Sequence, residues 1–84
     1  MAQESLEGEL SFAQVPQQLR RAEALIAGGS LDLSRVSRAD SAGLALLLEL
    51  SRRSGSRPLV IRGANEQVLQ LSRFFGLDKI LHFE

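Results

Sequence analysis

LDLSRVSRADSAGLALLLEL, residues Leu31 to Leu50, changes its period in the middle. Leu31 and Leu33 alternate with Asp32 and Ser34, the two-residue repeat of a strand with one apolar face. Further on, the apolar residues crowd together, with Gly43 to Leu48 uninterrupted. That run predicts a helix from about Ser41 to Ser54, stopped by Gly55. Asp40 and Ser41 stand at the junction, and either side chain suits the helix N-cap, where it accepts an orphan backbone N–H. A strand leading directly into a helix is half of a βαβ unit.

The flanking sequence repeats the pattern. Leu6, Gly8, Leu10 and Phe12 alternate with Glu7, Glu9 and Ser11, which predicts a strand facing inward at the first set. Val15, Leu19, Ala22 and Ile26 are spaced as one helical stripe. Pro16 suits its first turn, and Gly28-Gly29 its left-handed stop. PLVIRG, Pro58 to Gly63, reads as a short buried strand. Ala64 to Phe75 reads as a helix with Ala64, Val68, Leu71 and Phe75 inward and Gly76 as its stop, and KILHF, Lys79 to Phe83, as a last strand. The order β-α-β-α-β-α-β predicts an α/β layered domain of about four strands and three main helices, starting near Pro16, Ser41 and Asn65.

Bulk properties narrow the function. With 84 residues the chain is expected to form a single domain over 1–84. Ten basic and ten acidic residues cancel, which disfavours sequence-independent nucleic-acid binding. There is no cysteine, so disulfides, thiolate catalysis and cysteine-type zinc sites are excluded. MAQESLEGEL lacks the basic and apolar regions of a secretory leader, and Gly43 to Leu48 is far short of a membrane span.

Ser41 is a poor nucleophile candidate. The single histidine, His82, lies in the terminal strand, no G-x-S-x-G elbow is present, and an ordinary carboxylate such as Asp40 is a weak base toward a hydroxyl. His82 reads as a half-exposed strand residue. Asp32 and Asp40 lack carboxylate neighbours at metal-ligating spacing, and no phosphate-cradling glycine loop exists. The sequence therefore predicts no enzyme, cofactor or metal.

The central helix is more apolar than one buried stripe requires. Leu46, Leu47 and Leu50 suffice for the core. Leu44, Ala45 and Leu48 form a second stripe, with Ser41 in its middle and Arg52 at its far end. An apolar line edged by polar groups commonly marks an interaction surface; the alternative is that another part of the domain covers this flank. Gly43 in a first helical turn costs about 1 kcal/mol relative to alanine, which makes sense where another backbone or a partner approaches closely.

LDLSRVSRADSAGLALLLEL resembles the central motif of the STAS domains (sulfate transporter and anti-sigma-factor antagonist), a strand, an Asp-Ser/Thr-x-Gly loop and a helix. GEL, Gly8 to Leu10, matches an early strand of that family, and RFFGLDKILHFE, Arg73 to Glu84, its closing helix, turn and strand. Within the family the likeness is greatest to the small cytoplasmic subunit of an ABC phospholipid transporter of Gram-negative envelopes. The resemblance implies an accessory subunit that binds the transporter's ATPase subunit, and indirectly its permease, and supports maintenance of outer-membrane lipid asymmetry. It places the chain in the cytoplasm, peripheral to the inner membrane. The expected partner-binding residues are Arg38, Asp40, Ser41, Ala42, Gly43, Leu44, Ala45, Leu48 and Arg52. In anti-sigma-factor antagonists the phosphate acceptor is the second residue after the aspartate, here Ala42. Phosphorylation of Ser41 in a signalling switch is the alternative. Many members have a further strand before GEL and a C-terminal helix; both are expected to be short or absent, leaving an edge strand that invites homodimer pairing.

Overall fold

The computed structural model describes residues 4–84. Four strands, β1 (Glu4–Leu10), β2 (Ser30–Ala39), β3 (Val60–Arg62) and β4 (His82–Phe83), form one sheet in sequential order. All neighbours are parallel. The crossovers carry α1 (Val15–Arg20), α2 (Ala22–Ile26), α3 (Ser41–Arg53) and α4 (Glu66–Phe74), followed by a 3-10 turn at Leu77–Lys79. The expected α/β layered fold is present, with four α-helices where three main ones were predicted. The predicted first helix is broken at Arg21 (φ −96°, ψ 8°). The break changes the helical phase, so Leu25 is buried together with Ala22, while Val15, Leu19 and Ile26 pack only partly on the core.

β2 runs five residues beyond the predicted Ser34. Its register with β1 slips twice: Ser5 pairs with Asp32, Glu7 with Arg35, Gly8 with Val36 and Glu9 with Arg38. Each slip places one extra residue in β2, a bulge. Its buried residues are accordingly Leu31, Leu33, Val36 and Ala39, at steps of two, three and three. A strict two-residue repeat fails after the first step, and for that reason the second half of the strand is invisible to periodicity.

The same irregularity overturns two assignments in β1. Leu6 and Leu10 are buried, but Gly8 lies at the surface with φ +75°. Phe12 lies beyond the end of the strand and is 79% exposed. Glu4 to Gly8 belongs to β1 itself, and Met1 to Gln3 lie outside the described residues. Among the described residues β1 is an edge of the sheet. Glu7 and Glu9 are exposed on it, and two copies paired there would bring like charges together, a feature that protects natural edges.

At the C-terminal end the predicted five-residue strand shrinks to His82–Phe83, and Ile80 is 55% exposed. Gly76 (φ +72°) stops the preceding helix as predicted, but Phe75 stays half-exposed with its ring edge-on to Phe74, 5.2 Å between centroids. Ten leucines are among the largest fully buried side chains, and no phenylalanine is. The core is thus filled without Phe12, Phe74 and Phe75, which are left to the surface.

Candidate protein-docking site

The loop between β2 and α3 is organised by one carboxylate. Asp40 is extended (φ −108°, ψ −174°), which makes it the N-cap of α3. Its Oδ1 accepts the Gly43 N–H at 2.9 Å and its Oδ2 accepts the Phe12 N–H at 3.1 Å. The Asp40 N–H donates to the Leu10 carbonyl at 3.2 Å. Asp40 therefore ties the end of β1, the turn that carries Phe12 and the first turn of α3 together. The donated backbone hydrogen bonds, from Gly43 first and Phe12 next, hold its pKa below the ordinary value of 3.8. A carboxylate depressed on folding contributes stability above its unfolded pKa and loses it as pH falls through the folded value. Asp40→Ala is expected to cost about 1 kcal/mol at neutral pH. Urea denaturation should show that difference shrinking in acid, below the ordinary carboxylate pKa; a difference independent of pH would refute the role of the charge.

Gly43 is where two backbones meet. A Cβ at this position would overlap the Leu10 carbonyl oxygen and lie 2.8 Å from its carbon. The close approach anticipated for this glycine is made by β1 of the same domain, and Gly43 is buried. It does not present a partner surface.

Leu44, expected on the exposed flank, is 1% exposed and belongs to the core. Around α3, at about 100° per residue, burial runs from Leu46 through Leu50, Gly43 and Leu47 to Leu44, an arc of about 160°. The arc is wide because α3 packs on β1 and β2, with α1 and α2 along one side. Of the expected partner-binding residues on α3, Ser41, Ala45 and Arg52 are exposed and Leu48 and Ala42 half-buried; Arg38 and Asp40 are exposed just before the helix. Arg52 is held by Glu49, its Nε donating at 2.9 Å and its Nη2 at 2.7 Å, and the Arg53 Nε donates to the same carboxylate at 2.7 Å. These hydrogen bonds, Arg52's foremost, lower the Glu49 pKa to about 2.

This outer ridge of α3 runs between two open grooves. One, of about 300 Å³, has Phe12, Val15, Pro16 and Leu19 on one wall and Ala42, Ala45, Leu46 and Glu49 on the other. The second, of about 350 Å³, is lined by Leu48, Ser51, Arg52 and Ile80. Phe12 and Ile80 were missed as surface residues because both lie in stretches that alternate like strands. The useful signal was the surplus of core-filling leucine. Apolar grooves rimmed by charge fit a protein surface rather than a reaction centre. His82, read as a half-exposed strand residue, is exposed on β4. Among the described residues no group of His, Asp or Glu side chains could hold a metal ion, and no helix is long and apolar enough to cross a membrane.

Two further residues escaped the sequence reading. β3 pairs only with Ser30, Leu31 and Asp32, so the rest of β2 lacks a strand on that side. α4 takes its place with side chains. The Asn65 Nδ2 donates to the Val36 and Ser37 carbonyls at 3.2 and 3.0 Å, while its Oδ1 caps α4 at the Val68 N–H. The Gln67 Oε1 accepts the Ala39 N–H at 2.8 Å, and its Nε2 donates to the Ala39 carbonyl at 2.9 Å.

The profile of a family described as "Mlab, STAS domain" matches residues 3–82. The intermembrane phospholipid transport system binding protein MlaB of Escherichia coli K12 is 40% identical over 60 residues, covering 68% of this chain and 61% of that protein. MlaB of Shigella flexneri aligns with the same identity and coverage. The matched region thus spans about three-fifths of the length of these relatives.

Proposed function

The chain belongs to the MlaB-type STAS domain family, and from that premise we propose that it is a non-enzymatic accessory subunit of an ABC phospholipid transport system. In this reading it docks on the ATPase subunit (MlaF-like), meets the permease (MlaE-like) only through that subunit, and sits at the cytoplasmic face of the inner membrane. The complex it supports maintains outer-membrane lipid asymmetry. The observation that carries the docking is the ridge of α3 between its two grooves: Ser41, Ala45, Leu48 and Arg52, with Phe12 and Ile80 at the outer walls. Two relatives named as phospholipid transport binding proteins support the choice of system. Co-expression with the ATPase subunit of the same system, followed by size-exclusion chromatography, tests it. A co-eluting complex supports the reading, and separate elution of two folded proteins refutes it.

Ser41→Asp separates fold from docking. The first turn of a helix tolerates a carboxylate, so the domain is expected to melt as the wild type does. At a drying interface the charge adds a desolvation cost, and ATPase binding is expected to fall by about tenfold or more. Wild-type affinity of a folded Ser41→Asp protein would move the partner elsewhere. The signalling alternative has one observation in its favour, the exposure of Ser41 at the start of α3. Ala42, which has no hydroxyl, occupies the usual acceptor position. Abundant phospho-Ser41 in protein isolated from growing cells would decide for signalling.

A further inference from the structure

We propose that Gln67, on α4, is a positioning residue for the docking ridge on α3. A side-chain amide offers both a donor and an acceptor, and Gln67 uses both on one residue, Ala39. It thereby substitutes for the strand that β2 lacks on this side. Ala39 is held from the other side by its pairing with Leu10 in β1. The next residue is Asp40, whose two carboxylate oxygens hold Gly43 and Phe12. One unbroken path of backbone and hydrogen bonds therefore runs from Gln67 through Ala39 and Asp40 to Phe12, on one wall of the first groove, and to Gly43, which follows Ala42 on the other. Without the amide pair, the last residue of β2 is fixed by β1 alone, and Asp40 can swing with it. The terminal hydrogen bonds, at Phe12 and Gly43, then open more often. The effect on partner affinity rests on the proposed docking to the ATPase subunit; the coupling from Gln67 to Phe12 and Gly43 does not.

The test compares the wild type, Gln67→Met and Gln70→Met. Methionine keeps the length of the side chain and removes both hydrogen bonds; Gln70 is an exposed α4 residue that serves as control. Amide exchange of the free chain is read by NMR, and ATPase affinity by titration. Gln67→Met is expected to speed exchange at Phe12 and Gly43 about tenfold, to leave Leu47 and Leu50 in the middle of α3 unchanged, and to weaken ATPase binding severalfold. Gln70→Met is expected to change nothing. Unchanged exchange at Phe12 and Gly43 overturns the proposal, as does acceleration spread evenly over the sheet and α3, which marks a merely structural role. Faster exchange at the two amides with wild-type affinity overturns it where Ala45→Asp weakens binding more than tenfold in the same assay; where Ala45→Asp binds as the wild type does, the ridge is not the docking face, and the proposal that Gln67 positions it for docking is overturned too. If the wild type itself does not bind the ATPase, the proposed function fails, and the exchange pattern still decides the coupling.

Discussion

Gly43→Ala is expected to destabilise the domain by about 3 kcal/mol, although helix propensity alone predicts a gain of about 1 kcal/mol for this change. The two effects have opposite signs, and the geometry decides between them. An added Cβ meets the carbonyl of Leu10, a backbone group that cannot rotate away as a side-chain tip can. Relief requires α3 to lift off the end of β1. That movement also stretches the Asp40 hydrogen bonds to Gly43 and Phe12, since all three segments share one carboxylate. A chain of this size has a total stability of roughly 4–13 kcal/mol, so the loss should be plain in a urea titration. A variant that melts at or above the wild-type midpoint would show that α3 and β1 are not packed as described.

Leu44→Asp, Leu48→Asp and Ala45→Asp should behave as three different mutations, although they lie within one turn or so of one helix. Leu44 is in the core, and a carboxylate there is expected to unfold the domain. Leu48 is half-buried against the core, so its replacement should cost stability of about 1–2 kcal/mol and still leave a folded protein. Ala45 is exposed, and its replacement should cost less than about 1 kcal/mol, the helix-propensity difference. Against the ATPase subunit the order changes. Both folded variants place a charge in the centre of the proposed interface and are expected to weaken binding by more than tenfold, about 1.4 kcal/mol per decade. Circular dichroism melting and titration with the ATPase subunit separate the two properties. If Leu48→Asp and Ala45→Asp fold and bind as the wild type does, the ridge of α3 is not the docking face.

Local pattern alone determined much of this protein. Alternating and helical repeats located the strands and helices in order. Gly29 and Gly76, both with positive φ, ended helices where expected. Asp40, one of the two cap candidates at the start of α3, caps it. The central motif was sufficient to point to the family that the profile match then showed. These features are local: a repeat, a cap or a stop depends on a few neighbouring residues and their backbone angles.

Tertiary structure decided the rest. The wheel of α3 could not say that Leu44 is buried, because the width of a buried arc depends on how many other segments pack around the helix. The two bulges of β2 exist only relative to its partner β1, and they hide the strand's second half from any fixed repeat. The neighbour that makes Gly43 obligatory, Leu10, lies 33 positions earlier in the chain. Phe12 with Asp40 and Ala39 with Gln67 are each joined across 28 residues. A hydrogen bond between such residues leaves no trace in local periodicity, because it is the fold, bringing strand ends and helix starts to one place, that creates the partner.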